Sequence, residues 1–374
     1  MIPYGRQSID DADVDAVVAV LRGDWLTTGP AVEAFESDLA RVGGTPGAVA
    51  VTSGTAALHV AYSALGVGPG STVVVPPLTF VATASAALLL GAEVAFADVD
   101  ERTGVLDPAA AAEALTPSTT VVATVDYAGH PSDVDALRAA VGGGVAVVQD
   151  AAHSIGGTLH GRPVGSAADA TAFSFFPTKN LTTAEGGAVV SPREDVLARA
   201  RSFRNHGLVR DRAQLRWPDE GGWHQEVHEA GLNYRLPDVL CALGISQLRR
   251  LDQFARRRAE VHDRYRQGLS DLDGLVLPAA QPGAEPVWHL YPVRVREGRR
   301  RAMYDHLRAH GVGAQVNYIP VHWHPLFADL GWRRGQFPVA EQWYAEELSL
   351  PMHAALTDDE VDHVVDQVRA FFAA

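Results

Sequence analysis

Lysine is almost absent from this chain: Lys179 is the only one, although lysine and arginine together number 31. Arginine could serve equally well in a salt bridge or a phosphate contact, but its guanidinium stays protonated and cannot act as a nucleophilic amine. Schiff-base formation with a carbonyl compound, commonly pyridoxal phosphate (PLP), is the chemistry that uses a lysine in this way. Position 179 is therefore a candidate catalytic site, the alternative being a lysine retained by chance.

Cysteine is equally scarce, and long apolar segments are missing. Cys241 is the only cysteine, so an intrachain disulfide is impossible, as expected in a reducing cytoplasm. The longest apolar stretch, residues 73–92, is interrupted by two prolines and predicts a strand followed by a helix rather than a membrane span. The first fifteen residues show no signal-peptide pattern. We therefore expect a cytoplasmic protein with no membrane partner.

Positive charge is in deficit as well. The formal net charge is −14, from 31 basic and 45 acidic residues, which argues against binding to nucleic acid or to an anionic membrane surface. The G-x-G-x-x-G fingerprint and the Walker loop are both missing. A globular enzyme with a local pocket for a phosphorylated ligand is compatible with these absences.

The sequence is rich in short β-branched runs that alternate with helical segments. This alternation predicts an α/β domain with a mostly parallel, buried sheet. The predicted strands are residues 48–52, 72–75, 93–97, 120–125, 145–149, 171–175 and 187–190. The predicted later elements are a helix over 237–269, strands over 287–295 and 314–317, and helices over 299–310, 339–348 and 358–372. Length suggests two domains, a large one over 1–249 and a small one over 250–374.

Asp150 follows one of the predicted strands, and His153 comes three residues later. A carboxylate at the carboxyl end of a buried parallel strand lies where α/β sheets bind their ligands. In a PLP enzyme such a carboxylate keeps the pyridine nitrogen protonated, so that the ring can accept electrons. His153 could contact the phenolic oxygen of the same cofactor. The structural alternatives are a helix N-cap for Asp150 and a buried, hydrogen-bonded role for His153.

Small hydroxyl residues lie at two other predicted strand ends. Ser53, Gly54 and Thr55 follow the first strand and open a helix, where free backbone N–H groups can bind a phosphate. The same triplet would also make a good capping turn. Ser174 could add a hydroxyl to such a site, and Phe80 could stack on a planar ring, although a single aromatic is more often part of the core.

Two histidine pairs raise the question of a metal site. His224 and His228 have i, i+4 spacing, and His322 and His324 flank a tryptophan. Neither pair has a cysteine partner, and two histidines do not complete a ligand set. We therefore predict no metal site.

These motifs occur in an order that resembles the DegT/DnrJ/StrS sugar aminotransferases nearly from end to end. The segments that carry the resemblance are Ser-Gly-Thr at 53–55, Thr-Phe-Val-Ala-Thr at 79–83, Asp-Ala-Ala-His-Ser at 150–154, Ser-Phe-Phe-Pro-Thr-Lys at 174–179, Glu-Gly-Gly at 185–187 and Gly-Leu-Asn-Tyr-Arg at 231–235. The resemblance implies the aspartate-aminotransferase-like PLP architecture of fold type I. That architecture has a large, mostly parallel sheet domain, a smaller α+β C-terminal domain and a homodimer with shared active sites.

The resemblance also implies a role for each candidate residue. Those assigned to the cofactor are Lys179 (Schiff base), Asp150 (pyridine nitrogen), His153 (phenolic oxygen), Phe80 (ring stacking), Ser53, Gly54, Thr55 and Ser174 (phosphate), and Asn233 (phosphate of the neighbouring subunit's cofactor). Lys179 and Asp150 are the expected catalytic residues. Some relatives carry histidine in place of the lysine and remove a hydroxyl group instead, and Lys179 argues against that activity.

Residues 1–9 and 24–30 are similar to the same regions of pseudaminic-acid-pathway transaminases in this family. That likeness implies glutamate as the amino donor. It implies the C4 ketone of a UDP-4-keto-6-deoxy-N-acetylhexosamine as the acceptor. Tyr4 and Arg6 in this N-terminal segment, and Tyr318 after a predicted strand, are the candidate substrate-binding residues. Arginine suits the diphosphate of such an acceptor, the alternative for Arg6 being a solvated terminal residue.

The sequence departs from the family pattern at two positions near Lys179. Phe176 and Ala184 stand where histidine and glycine are frequent. Another keto sugar or a keto-cyclitol therefore stays an alternative acceptor. A non-catalytic binding or regulatory protein on the same fold is the alternative from another class, against which the presence of both Lys179 and Asp150 argues.

Overall fold

The computed structural model describes residues 1–373, which form fifteen short strands and thirteen α-helices. The strands are β1 (Gly47–Val51), β2 (Thr72–Val75), β3 (Glu93–Phe96), β4 (Thr119–Val125), β5 (Ala146–Asp150), β6 (Thr158–Leu159), β7 (Arg162–Pro163), β8 (Ala170–Ser174), β9 (Gly187–Ser191), β10 (Leu208–Val209), β11 (Glu226–Val227), β12 (Leu275–Val276), β13 (Ala284–Glu285), β14 (Tyr291–Val295) and β15 (Glu347–Leu350). The helices are α1 (Asp11–Leu21), α2 (Pro30–Gly43), α3 (Gly54–Ala64), α4 (Ala82–Leu89), α5 (Pro108–Glu113), α6 (Val134–Val141), α7 (Glu194–Arg204), α8 (Asp238–Leu248), α9 (Leu251–Leu269), α10 (Arg300–Ala309), α11 (Pro325–Asp329), α12 (Pro338–Glu346) and α13 (Asp358–Ala373).

Seven strands form a central sheet in the order β1-β9-β8-β5-β4-β2-β3. Neighbouring strands from β8 to β3 pair in parallel, whereas β9 is antiparallel to both β8 and β1. The predicted mostly parallel sheet is therefore confirmed. Each of the seven predicted strands lies within one residue of an observed one. The pattern was readable because these strands are buried on both faces and consist largely of valine and alanine.

Side chains along β1 show how the sheet is covered on both sides. Val49 and Val51 belong to a core shared with α3 and α7, while Ala48 and Ala50 belong to a second core shared with α2 and α8. This alternation follows from the two-residue period of a strand. The layered helices leave the carboxyl ends of the central strands as the place where loops can build a site.

A separate core lies in the C-terminal part of the chain. The antiparallel sheet β12-β14-β15 packs with α9, α10 and α13 around side chains that include Tyr265, Val293 and Val364. This is the predicted smaller α+β unit, and we keep the division into residues 1–249 and 250–374 as a proposal. Residue 374 lies outside the described residues. No helix within residues 1–373 is both long and apolar enough to cross a membrane.

Four predicted elements near the C-terminus were wrong in extent, and one of them, the strand expected over 287–295, begins only at Tyr291. The helix expected over 237–269 is two helices, because α8 ends at Leu248 and α9 begins at Leu251. The first packs on α1 and α2, and the second packs on α13. The helix expected over 339–348 ends at Glu346, where the chain enters β15. The strand expected over 314–317 is reduced to a single bridge between Gln315 and Ser349.

Candidate active site

A cavity of about 430 Å³ opens at the carboxyl ends of the central strands. β1, β4, β5 and β8 all end at its wall, because they run in the same direction through the sheet. The cavity is lined by the predicted residues Tyr4, Ser53, Gly54, Thr55, Phe80, Asp150, His153, Ser174, Lys179 and Tyr318. The fold thus brings together residues from the first strand, the sheet centre and the C-terminal unit.

Asp150 is the last residue of β5, and its side chain is buried at the base of the cavity. Thr83 donates its hydroxyl to Asp150 Oδ2 at 2.6 Å, and the Ala152 N–H donates to Oδ1 at 3.2 Å. Burial raises the pKa of the Asp150 carboxyl, while these two hydrogen bonds and the nearby Lys179 act in the opposite direction. A cationic ring nitrogen placed against this carboxylate would favour its charged form.

Lys179 lies in the loop between β8 and β9, where its backbone N–H donates to the Phe176 carbonyl at 2.9 Å. Burial lowers the pKa of its amine to about 8, and the Asp150 carboxylate partly opposes that shift. A buried amine of this kind is deprotonated more readily than an exposed lysine, as nucleophilic and basic lysines require.

His153 contributes an uncharged imidazole to the cavity. Its Nε2 lies 3.2 Å from the Tyr318 hydroxyl, and its ring centroid lies 4.3 Å from that of His289. Burial, and then the charge of Lys179, lower the pKa of His153 well below its ordinary value. His153 Nδ1 is buried without a hydrogen-bond partner among the described residues. A ligand with a polar edge at this position would satisfy it.

The start of α3 forms a cradle beside Ser174. Ser53 caps the helix by accepting the Ala56 N–H, which leaves the first backbone N–H groups of α3 free for an anion. A Cβ atom at Gly54 would lie 2.7 Å from the Ser174 Cβ, and one at Gly187 would lie 2.4 Å from the Ser53 carbonyl oxygen. Only glycine therefore fits at both positions.

Phe80 and Tyr318 form the more open side of the cavity. Phe80 remains 56% exposed, so that its ring face is available to a flat ligand. Its centroid lies 6.0 Å from that of Tyr318 in an edge-to-face arrangement. Tyr4 lines the same cavity from the N-terminal segment, and its hydroxyl accepts a hydrogen bond from Asn317 Nδ2 at 2.7 Å.

Two predicted residues do not line this cavity. Arg6 is exposed and borders a small neighbouring pocket together with Lys179. Asn233 is also exposed, in a segment that forms a single bridge with Asn205 beside the end of β1. Within one chain, neither side chain belongs to the wall around Lys179 and Asp150.

The two departures from the family pattern are both located near the site. Phe176 lines the cavity and is 46% exposed. Ala184 has a φ of 66°, in the left-handed region where a glycine is unstrained. The geometry therefore explains why a glycine suits position 184.

Three of the four paired histidines contact carboxylates. His224 and His228 lie 3.2 and 2.5 Å from the oxygens of Glu226, and His322 lies 3.0 Å from Glu341. Among residues 1–373, no group of three histidine, cysteine or acidic side chains is arranged to hold a metal ion.

Three residues of the site were missed by the sequence analysis. Thr83 supports Asp150, and its only signal was its place in the Thr-Phe-Val-Ala-Thr segment. His289 and Asn317 both line the cavity, but they come from the C-terminal unit and carry no motif. A lone histidine or asparagine in a sequence gives no indication of which cavity it will enter.

An α/β fold that sets one lysine amine near a buried carboxylate provides the two groups that PLP chemistry needs from a protein. Residues 7–369 match the model of the DegT/DnrJ/EryC1/StrS aminotransferase family, and the chain belongs to that family. It is therefore a PLP-dependent sugar aminotransferase, as predicted, and the non-catalytic alternative is set aside.

Relatives and solved structures agree with this placement. SpsC, a spore coat polysaccharide biosynthesis protein of Bacillus subtilis, is 38% identical, with 98% of this chain and 96% of SpsC covered. Spr1654 of Streptococcus pneumoniae is a proposed sugar aminotransferase whose structure is solved in PMP and PLP forms. Its PMP form is 29% identical to this chain, with a TM-score of 0.93, and the match covers 100% of this chain and 99% of Spr1654. PseC of Helicobacter pylori, an aminotransferase involved in pseudaminic acid biosynthesis, is 27% identical, with a TM-score of 0.91 and coverage of 100% and 99%.

The residues present fit PLP. His153, whose Nδ1 has no partner among residues 1–373, lines a site large enough for a pyridine ring, and the Gly54 cradle provides free N–H groups for a phosphate. Lys179 supplies the one side-chain amine of the chain, and Asp150 retains acceptor capacity beyond its two hydrogen bonds.

Proposed function

We propose that this aminotransferase moves an amino group from glutamate to the C4 ketone of a UDP-4-keto-6-deoxy-N-acetylhexosamine. The observation that carries the proposal is the composition of the cavity wall. One amine of lowered pKa is bordered by the hydroxyls of Tyr4 and Tyr318, which come from segments outside the central sheet. The similarity to PseC over the whole chain supports a sugar of the pseudaminic acid type.

PLP, when bound, supplies an aldehyde that amines attack and a ring that accepts electrons. With PLP bound, Lys179 would hold its aldehyde between turnovers, and the freed amine would serve as base and acid, taking a proton from the donor's α-carbon and delivering it to the cofactor. Asp150, fixed by Thr83, would keep the ring nitrogen protonated. His153 would lie near the phenolic oxygen, and Phe80 would cover one face of the ring.

The wall around Lys179 is short of positive charge for the ligands we propose. Among the residues of 1–373 that line the cavity, none is an arginine, and Lys179 itself is used for the cofactor. The cofactor phosphate, the glutamate carboxylates and the UDP diphosphate are all anionic. We also propose a cytoplasmic homodimer, as the family resemblance implies, in which the Asn233 amide of one subunit donates a hydrogen bond to the cofactor phosphate of the other.

Mixing two inactive variants should restore part of the activity if the sites are shared. Lys179→Ala and Asn233→Ala subunits, unfolded together and refolded as a mixture, should form heterodimers with one intact site each. About half of the dimers should be mixed, so roughly a quarter of the wild-type sites should be recovered. A mixture no more active than its two parents, or a fully active monomer in sedimentation, would contradict sharing.

The substrate is tested by turnover against a panel of keto sugars. We expect the highest kcat/KM with a UDP-linked 4-keto-6-deoxy-N-acetylhexosamine, a lower value with a dTDP-linked 4-keto sugar, and little turnover of a keto-cyclitol that lacks a diphosphate. Preference for the keto-cyclitol would establish the alternative acceptor. Stopped-flow absorbance of the cofactor follows the glutamate and sugar half-reactions separately.

Arg6→Ala is the variant that probes the diphosphate. Arginine binds two phosphate oxygens at once through its planar guanidinium. We expect a KM for the nucleotide sugar that is about tenfold higher, as for one charge-assisted hydrogen bond, and an unchanged half-reaction with glutamate. Equal damage to both half-reactions would show that Arg6 supports the fold or the donor instead.

A further inference from the structure

A buried carboxylate connects to the cavity through a chain of hydrogen bonds. Glu347, on β15, is fully buried, and its Oε2 accepts the backbone N–H of Asn317 at 2.6 Å. The Ser349 hydroxyl donates to the other oxygen, Oε1, at 2.5 Å. Asn317 Nδ2 then lies 3.1 Å from Ser349 Oγ and 2.7 Å from the Tyr4 hydroxyl. We refer to these four residues as the Glu347–Tyr4 chain.

The charge of Glu347 fixes the direction of every bond in this chain. A carboxylate only accepts, so the single proton of Ser349 is committed to it. The amide atom that faces Ser349 must then be a donor, which assigns the nitrogen of Asn317 to this side. The same nitrogen faces Tyr4, so the phenol oxygen accepts there.

The proton of the Tyr4 hydroxyl is left free by this arrangement. Asn317 is the one hydrogen-bond partner that residues 1–373 give to the hydroxyl, and it acts as the donor. Burial is the main cause that raises the pKa of Tyr4 well above its ordinary value, with further contributions from Tyr318 and Glu347, so the phenol keeps its proton. Because Tyr4 lines the cavity, that proton can be donated to a ligand oxygen there.

A neutral group at position 347 reverses the chain. The side-chain oxygen of residue 347 that accepts the Asn317 backbone N–H must remain an acceptor. A proton added to Glu347, or the amide nitrogen of a glutamine at this position, must therefore face Ser349. The hydroxyl of Ser349 then turns its own proton to Asn317. The Asn317 side chain must then present its amide oxygen to both Ser349 and Tyr4. The Tyr4 hydroxyl donates to that oxygen instead of to a ligand in the cavity.

We infer that Glu347 is a positioning residue for the acceptor substrate: its negative charge, acting through the chain, keeps the Tyr4 hydroxyl proton available to an oxygen of the keto sugar. This catalytic consequence rests on the proposed keto-sugar acceptor. The direction of the chain itself rests on the hydrogen-bond geometry alone.

The groups around Glu347 bring the pKa of its carboxyl into a pH range that can be studied by experiment. Burial raises the pKa of Glu347 to about 8, although Ser349, the Asn317 N–H and Arg300 oppose the shift. The other titratable groups that act on it are the phenols of Tyr4, Tyr127 and Tyr318, and burial raises the pKa of each. These phenols remain neutral while Glu347 titrates, so the chain should switch with one midpoint.

The direction of the Tyr4 bond can be measured without any substrate. In the PLP-loaded enzyme labelled with ¹³C at tyrosine Cζ, the Tyr4 signal is identified by its loss in Tyr4→Phe. We expect this signal to shift with a midpoint near the Glu347 pKa of about 8, and to be independent of pH in Glu347→Gln. Ser349→Ala interrupts the relay while leaving the carboxylate, and should abolish the titration as well. A titration that persists in Ser349→Ala would mean that the charge acts through space, which would overturn the inference.

Glu346→Gln is the matched control, because Glu346 is also buried but its carboxylate bonds Arg296 and Gln342. Its Tyr4 signal should titrate as in the wild type. A Tyr4 signal that does not shift with pH in the wild type would overturn the inference, whatever the kinetic measurements show.

A double-mutant cycle tests the consequence for the reaction. At about pH 9, above the Glu347 pKa of about 8, Glu347→Gln and Tyr4→Phe should each slow the keto-sugar half-reaction about tenfold, and the double variant should be no slower than either. Glutamate's half-reaction should be unchanged in all three. If the double variant were instead about 100-fold slower, the two effects would be independent, and Glu347 would not act through Tyr4. If the signal titrates but no keto sugar is turned over, the proposed substrate fails while the switch stands. If the keto sugar is turned over but the Tyr4 signal does not titrate, the inference about Glu347 fails while the proposed substrate stands.

Discussion

Replacing Lys179 by alanine should lower the overall transamination rate by about 10³-fold or more, since both the nucleophile and the general base are lost. The chain has no second lysine that could substitute. In the protein without cofactor, burial lowers the pKa of the Lys179 amine to about 8, so attachment of added PLP to Lys179 should become faster as the pH rises through that value. Steady-state rates with glutamate and the preferred keto sugar measure the first effect, and the absorbance change on adding PLP to the apoenzyme measures the second.

Lys179→Arg is the matched control for the charge. Arginine keeps a positive side chain beside Asp150 but cannot form the covalent link or accept a proton. The loss should therefore equal that of Lys179→Ala. A variant with arginine that retained more than about a tenth of the activity would show that position 179 serves only as a charge.

Borohydride provides a readout that does not depend on turnover. The wild-type enzyme should be yellow, and reduction should shift its absorbance and leave a pyridoxyl group on Lys179 in the peptide mass map. Lys179→Ala should still bind PLP through its phosphate contacts but carry no reduced adduct. A colourless wild-type protein that takes up no PLP would contradict the assignment of Lys179.

Replacing Asp150 by asparagine should lower turnover by about 10²-fold, which corresponds to the loss of a charge-assisted hydrogen bond to the ring nitrogen. The amide preserves shape and hydrogen bonding but not the charge that keeps the nitrogen protonated. Asp150→Ala should be at least as impaired. The half-reaction with glutamate, followed by the absorbance of the cofactor, separates this effect from weaker sugar binding.

Thr83→Val provides the graded comparison for Asp150. It removes the 2.6 Å hydrogen bond to Oδ2 while leaving the carboxylate in place, and should cost roughly tenfold in rate, as for a single hydrogen bond. Thr103→Val, at a site outside the cavity where the hydroxyl bonds Asp100 at 2.8 Å, should leave turnover unchanged. Near-normal activity in Asp150→Asn would show that a different carboxylate faces the ring.

The central sheet could be predicted from the sequence because its signal is local. Each strand is a short run of buried, mostly β-branched or small residues, and burial on both faces removes the need for any longer pattern. The break between α8 and α9 could not be predicted, since residues 249 and 250 are both good helix formers. The two helices separate there because they pack against different parts of the molecule. The strand Glu347–Leu350 was missed because it contains no β-branched residue and follows a helix without a glycine or proline.

The sequence by itself predicted the chemistry proposed for Lys179 and Asp150. A lone lysine among arginines and an aspartate at a strand end are signals of composition and local position. Only the tertiary structure brought Thr83 to Asp150 and linked Glu347, Ser349 and Asn317 to Tyr4. The residues of that chain are polar types that are common on any surface, and up to 343 positions separate Tyr4 from Glu347 in the sequence. Their roles follow from which donor meets which acceptor inside a buried site, and that pairing exists only once the chain has folded.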